Sequence, residues 1–383
     1  MGCVCCRAIG CHSCVRLEAE WEAEFKSHPE IFFLHNAKPG KLRRLWPFLH
    51  RKGASLRSLT LTHCDLSDLG LERLKGSLDH CKQLRKLHLE FDGIAALDTI
   101  QLAPVLANLV DLEVLSLRGN PIGEEGSLVL FEQVFPTLRK LRVLDLAITQ
   151  LGDRGCQGLL DVFHCFEDMR QLSILRNEGI TATGLRSVAK ILDKMPLLQK
   201  IHLGGLCMLG EDSFPLLEAL SSKPELVLLE LHDCDLEDLH IPLLVNIMRD
   251  SPGLQLLDIG GGNHFSLEGC RQLANSIKEL PSLSSVRMNG MLQEALGLKP
   301  HTSLPTDSAA LEYARGLGIA VPRTSQRALR RHRVLHEPDP THAKRYQATP
   351  PSEDTLSMEE VSDAENGNPE ASKCVTEGSP PPA

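Results

Sequence analysis

One spacing constrains this chain more than any other feature: leucine-like residues recur in the frame L-x-x-L-x-L at a nearly constant interval. The frame opens with Leu56, Leu59 and Leu61, followed by Cys64 and Leu66. It returns at Leu84, Leu87, Leu89 and Ile94, then at Leu112, Leu115, Leu117, Asn120 and Ile122. Leu141, Leu144, Leu146 and Leu151 follow, and later Leu198, Ile201, Leu203 and Met208. Leu226, Leu229, Leu231, Cys234 and Leu236 lead to Leu254, Leu257 and Ile259, and the series closes with Leu283, Val286 and Met288. The first residues of the units lie on average about 28 residues apart. Within a unit, the second and third apolar positions are two apart and share one face of a short strand. The remainder carries apolar residues at helical spacing, as at Leu71, Leu74 and Leu78, with Ser67 and Asp68 as candidate caps. Neither element can bury its apolar side alone, so adjacent units must stack. A helical bundle would also space its leucines, but nine recurrences at one period argue against it.

The long period and the run from Gly119 to Gly126, GNPIGEEG, resemble the ribonuclease-inhibitor-like branch of leucine-rich-repeat proteins over roughly residues 41–295. The resemblance implies an α/β solenoid, a horseshoe with a parallel concave sheet and outer helices, of about nine repeats of 28–29 residues. It also implies that Cys64 and Cys234, which stand where Asn120 stands in its own repeat, turn the chain off the strand. Their thiols are therefore expected to be structural rather than redox or metal-binding. Function does not follow, because inhibitors, GTPase-activating proteins and immune sensors share this architecture. Repeat five departs from the frame: Leu172 and Leu175 are followed by Arg176-Asn177-Glu178-Gly179-Ile180, with polar Asn177 where a third leucine is expected. The departure is either a tolerated irregularity or a change of curvature that marks a docking point.

Side chains between the strand leucines should point out of the concave face. The expected exposed column is Thr60, His88, Ser116, Asp145, Arg176, His202, Glu230, Asp258 and Arg287. Arg85, Lys86, Glu90, Phe91 and Arg118 flank it early, and His232 and Asp233 late. From these, Arg85, His88, Arg118, Asp145, Arg176, His202, Glu230, Asp258 and Arg287 are the expected contacts to a protein partner, basic in early repeats and more acidic later. A polar concave face is also what any solenoid would show. His88 and His202 lie about four strands apart at ~5 Å per strand, too far to share a metal. No Ser-His-Asp grouping, phosphate loop or HExxH motif appears, and Gly260-Gly261-Gly262 lacks the spacing and lysine of a phosphate loop. No catalytic residue, metal, cofactor or small-molecule substrate is expected.

The chain of 383 residues has a net charge of -9, which argues against nucleic acid as the partner. Aromatics are only 4%, so the core must be aliphatic. No apolar run approaches the ~18–20 residues of a membrane span, and the first residues lack a secretory signal. The 13 cysteines, an odd number without a disulfide-like framework, fit reduced thiols. The start, Met1-Gly2-Cys3-Val4-Cys5-Cys6-Arg7, resembles myristoylated and palmitoylated amino termini, although Cys6 replaces the usual Ser or Thr. Gly2 would carry myristate, and palmitate on Cys3, Cys5 or Cys6 would supply the second anchor that one chain requires. Alternatively Cys3, Cys6, Cys11 and Cys14 could bind zinc, though only four residues separate the two pairs.

The expected organisation is a Cys-rich segment 1–14, a helical cap 15–55, repeats 56–297, a C-terminal cap and basic segment 298–334, and a disordered acidic Pro/Ser-rich tail 335–383. Leu17, Trp21 and Phe25, with Leu42, Leu45, Trp46 and Leu49, should shield the first repeat. A short helix over 308–317 should precede the basic residues Arg323, Arg327, Arg330, Arg331 and Arg333. Ser357 and Ser362 sit in contexts suited to acid-directed kinases. The leading expectation is a noncatalytic, cytoplasmic scaffold held at a membrane by its lipid anchor, binding a protein on the concave face. The alternative is a GTPase regulator, because proteins that activate the GTPase Ran resemble this repeat type and carry acidic tails. A ubiquitin-ligase adaptor is disfavoured, since no F-box-like segment precedes repeat one.

Overall fold

The computed structural model describes residues 21–296, apart from single positions 24, 38, 65, 67, 68, 167, 281 and 289. All of these fall within the first of two compact units, residues 1–321. Gly2, Cys3, Cys5, Cys6, Leu17, Ser67, Asp68, Ser357, Ser362 and the segment from 297 onward lie outside the described residues.

Ten parallel strands form one sheet in strict sequence order. They are β1 Ile31–His35, β2 Ser58–Thr62, β3 Lys86–Glu90, β4 Val114–Ser116, β5 Val143–Asp145, β6 Gln171–Ser173, β7 Lys200–His202, β8 Leu228–Glu230, β9 Leu256–Asp258 and β10 Ser285–Arg287. A helix or helical turn links each strand to the next, and consecutive helices pack on one another. The repeating frame therefore builds an α/β leucine-rich-repeat solenoid. The middle leucine of each frame sets the register: Leu59 pairs with Leu87, Leu87 with Leu115, Leu115 with Leu144, and onward to Leu257 with Val286. Leu56, Leu84, Leu112, Leu141, Leu198, Leu226 and Leu254 are all fully buried, as the frame requires. Truncating one such leucine to Ala would cost about 2–5 kcal/mol.

Two expectations need correction. The segment 15–55 is not wholly helical. Ile31–His35 adds a strand ahead of repeat one, paired in register with β2 through Phe32↔Leu59 and Leu34↔Leu61. Its Phe32 joins Trp21, Phe25 and Phe48 in a cluster of edge-to-face and tilted rings with centroids 5.1–5.8 Å apart. Leu42, Leu45, Trp46 and Leu49 of the helix Pro39–Lys52 are buried with them, so the expected apolar shield is present around a strand.

Second, repeat five is not deformed. Leu172 pairs with Leu144 and Ile201, so it is the second frame position, Met169 the first and Ile174 the third. Met169 lies 28 residues after Leu141 and 29 before Leu198, the ordinary period. The spacing of three between Leu172 and Leu175 imitates the start of a frame, and a methionine in the true first position hides it. Asn177 then falls where Asn120 does, eight residues after the first frame position.

Those asparagines tie one repeat to the one before. Asn120 Nδ2 donates to Leu89 O (2.7 Å) and Leu117 O (2.8 Å), while its Oδ1 accepts from Asp92 N and Ile94 N. Asn177 repeats this with Leu146 O, Ile174 O, Thr149 N and Leu151 N. Asn263, displaced one residue by Gly260-Gly261-Gly262, does the same with Leu231 O, Ile259 O, Cys234 N and Leu236 N. As expected, Cys64 and Cys234 substitute thiols: Cys234 Sγ donates to Leu203 O and His232 O, both at 3.4 Å. Burial pushes these thiols up to about 11 for Cys64 and about 12 for Cys234, so they remain protonated donors.

A residue one or two positions before this ladder is left-handed in eight successive repeats. His63, Phe91, Gly119, Ile148, Arg176, Gly205, Asp233 and Gly261 have φ between 53° and 72°. Each turn keeps the neighbouring strands bonded, as when Ile148 N donates to Leu175 O and Arg176 N to Gly204 O. Glycine is free to adopt this conformation, whereas β-branched Ile148 is strained there.

Candidate functional site

Period-two alternation places three columns on the face of the sheet away from the helices, and the central one is not exposed as expected. Thr60, His88, Ser116, Asp145, His202 and Asp258 are all buried. Strands only ~4.8 Å apart put a side chain on either side of each, which shields these polar groups from solvent. Asp145 accepts from Ala147 N at 2.9 Å within its own turn. Arg176 does not belong to this column at all: Ser173 occupies it, and Arg176 sits on the left-handed turn. The expected contacts that remain accessible are arginines, with side chains 51% exposed at Arg85, 57% at Arg176 and 37% at Arg287. Arg118 is half-buried.

The polar groups gather into two clusters. In the early repeats His88 Nδ1 lies 3.3 Å from Glu90 Oε1, with Ser116 and Arg118 on the next strand and turn. Burial alone would raise the Glu90 carboxyl. The His88 contact, the Ser116 hydroxyl and the Arg118 charge outweigh it and hold that carboxyl below the ordinary glutamate value. Arg85 pairs with Glu113 at 3.2 Å. Along the turns beside this cluster runs a ring ladder: His35 against His63 at 5.3 Å, and His63 stacked on Phe91 at 4.8 Å. Gly119 permits it, since a Cβ there would fall 2.3 Å from the Phe91 ring.

The late cluster spans four repeats. His202, Glu230 and Asp258 stand side by side on β7, β8 and β9 in direct register. His202 Nδ1 makes a very short contact with Glu230 Oε2. His232, two residues beyond Glu230 on the same face, brings Nδ1 to 3.0 Å from Glu230 Oε1 and 3.6 Å from Asp258 Oδ2. Asp258 also accepts from Gly260 N through Oδ1 (3.2 Å) and pairs through Oδ2 with Arg287 at 3.4 Å. At the rim Arg176 pairs with Asp233 at 3.6 Å. Gly204 makes room for the His232 ring, which lies 2.5 Å from where a Cβ would stand.

Two carboxylates opposite one another on adjacent strands repel, and burial strengthens the repulsion. The compensation is visible in their neighbour: contacts with Asp258 and then Glu230 raise His232 to about 9, against burial. Burial would raise Glu230, but donors from His202 and His232 hold it far below the usual carboxylate range. Glu230, His232 and Asp258 together bring three possible metal-ligand atoms within 4.8 Å of one another.

His202, Glu230 and Asp258 share one column of the repeat frame with His232 beside them, and the strand register brings them into contact. Glu230-x-His232 carried the signal, since residues two apart on a strand share a face. His88 and His202, by contrast, lie four strands apart, as expected. All seven cysteines among the described residues are free thiols. Among the described residues, no helix is long and apolar enough to cross a membrane.

The strand order and the repeated turn chemistry define the class, a leucine-rich-repeat solenoid of the α/β kind. No family model matches the chain. It is similar to the ribonuclease inhibitor of Mus musculus, 27% identical over 260 residues, covering 60% of this chain and 57% of the inhibitor. The Sus scrofa ribonuclease inhibitor is 30% identical over 207 residues, 45% of this chain and 44% of that protein. The Homo sapiens protein "NACHT, LRR and PYD domains-containing protein 12" is 34% identical over 148 residues, 37% of this chain and 14% of that protein. Among solved structures, an internalin from Listeria monocytogenes covers 70% of this chain and 68% of its own, with 15% identity and a TM-score of 0.40.

Proposed function

We propose that the chain is a noncatalytic scaffold that binds a protein partner across the open face of its sheet. The observation that carries this reading is the division of that face. A polar spine of buried His88, Asp145, His202 and Asp258 with half-buried Glu230 fixes the surface, while Arg85, Arg176 and Arg287 stand accessible around it and Arg118 is half-buried. The Phe91–His63 ring ladder adds an aromatic anchor at one side. Rigid arginines and aromatics of this kind carry most of the energy in protein interfaces. Similarity to ribonuclease inhibitors, named for a protein target, supports the same class of role.

The finer reading adds a tether: myristate on Gly2 with palmitate on Cys3, Cys5 or Cys6, holding the scaffold at the cytoplasmic face of a membrane. Regulation of a Ran-type GTPase is the alternative, and no feature of the open face favours it. A photo-crosslinking residue placed at Phe91 or at Arg176 tests the scaffold reading against one placed at Arg249 on the outer helix Ile241–Asp250. Adducts confined to the first two positions are expected, and equal adducts at Arg249 would overturn the reading. Metabolic labelling with a myristate analogue tests the tether, and label persisting in Gly2→Ala would refute it.

A further inference from the structure

We propose that Glu230, His232 and Asp258 form a site for one divalent transition-metal ion of the zinc type, built between β8 and β9. The site goes beyond the scaffold reading and does not depend on it.

Geometry is the first support. An ion bound at ~2.0–2.1 Å by tetrahedral nitrogen and oxygen ligands holds those ligands about 3.3–3.4 Å apart. His232 Nδ1 stands 3.0 Å from Glu230 Oε1 and 3.6 Å from Asp258 Oδ2, on either side of that edge length. All three donor atoms lie within 4.8 Å of one another. His232 Nδ1 is buried and makes no aligned hydrogen bond, although both carboxylates face it. An ion at this shared centre would take the place of the Nδ1 proton that the two carboxylates otherwise attract.

The second support is the outer layer. In metal sites the atom of each ligand that does not touch the ion is usually held by another group. Here Glu230 Oε2 is taken by His202 Nδ1, and Asp258 Oδ1 by Gly260 N at 3.2 Å. His232 Nε2 points toward Asp233 Oδ2, 4.0 Å away, and Asp233 is itself fixed by Gly262 N at 2.7 Å. Glu230 and Asp258 therefore each have one oxygen held by the protein and the other directed into the common space, while His232 Nε2 faces Asp233 beyond hydrogen-bond distance. The ring of His232 can reach that space only because residue 204 is glycine.

The donor set names the ion class. One imidazole and two carboxylates suit zinc and neighbouring first-row ions better than calcium or magnesium, which prefer oxygen alone. Two carboxylates and a neutral imidazole balance a double positive charge. Arg287, 3.4 Å from Asp258 Oδ2, competes with the ion for that oxygen. Its removal should therefore strengthen binding, which no purely structural ion-pair network would do.

The test uses the full-length chain with Cys3, Cys6, Cys11 and Cys14 changed to Ser, so that amino-terminal thiolates contribute no zinc. Titration calorimetry with Zn²⁺ should give one ion per chain. Asp258→Asn and His232→Gln should each weaken binding at least tenfold, Arg287→Gln should tighten it, and exposed His264→Gln should leave it unchanged. Circular dichroism melts recorded with chelator separate loss of ligand from loss of fold. Should either ligand variant melt early, the Arg287→Gln result decides. No Zn²⁺ binding in the serine background, unchanged binding in Asp258→Asn and His232→Gln, or weaker binding in Arg287→Gln would each overturn the site.

Discussion

Replacing Asn177 by Ala is the sharpest probe of how this solenoid holds together. The side chain is fully buried and makes four bonds to backbone groups of two successive repeats. Alanine removes the acceptor for Thr149 N and Leu151 N and the donor to Leu146 O and Ile174 O. Leu146 O retains the Thr149 hydroxyl at 2.7 Å, so the two amides bear most of the loss. A buried donor left unsatisfied costs about 1–3 kcal/mol, which gives about 4 kcal/mol for the pair. Urea unfolding at equilibrium measures it. Because each repeat contacts only its neighbours, the lesion should also split a single transition into two, with a smaller m-value for each. Asn177→Cys restores a donor toward the carbonyls, as the chain itself does at Cys64 and Cys234, and should recover part of the loss. Exposed Asn108→Ala is the control and should shift stability by less than about 0.5 kcal/mol. A cost below about 1 kcal/mol for Asn177→Ala would refute the ladder as a principal tie between repeats.

Further outcomes follow from other residues. Ile148, β-branched at φ 56°, should gain about 1 kcal/mol on replacement by Asn, seen as a higher melting temperature. Alkylation of the native protein at mildly alkaline pH should modify exposed Cys207 and spare Cys64, Cys81, Cys156 and Cys234, whose thiols burial raises to about 11 or 12, as read by peptide mass spectrometry. The Glu90 carboxyl is lowered in the fold, so its contribution is complete above its ordinary value of 4.5 and is lost as pH falls below that. Glu90→Gln should therefore flatten the decline of stability with acid in that range, and an unchanged slope would contradict the His88–Glu90 pairing.

Much of the fold was legible because the frame repeats. Leu59, Leu87, Leu115 and Leu144 recur so regularly that stacked parallel strands bury them all, and the strands follow from that frame except β1 and the misplaced β6. Strand β1 was not legible, because Ile31-Phe32-Phe33-Leu34 has no preceding frame and only its pairing with β2 makes it a strand. Repeat five shows how a local pattern misleads: Leu172-x-x-Leu175 satisfies the motif, and only hydrogen bonding to Leu144 and Ile201 rejects it.

The sequence by itself determined the solenoid, the structural thiols of Cys64 and Cys234, and the polar character of the open face. These depend on periods of two and about 28 residues, which any stacked arrangement must preserve. Tertiary structure alone decided which of those polar residues face outward and which face one another. The reason is distance: strands ~4.8 Å apart turn a column that reads as exposed into a buried line of neighbours. Hence His202, Glu230, His232 and Asp258, spread over 57 positions of the chain, close into one cluster. Arg176 moves the other way, out of the column and onto a left-handed turn at the rim.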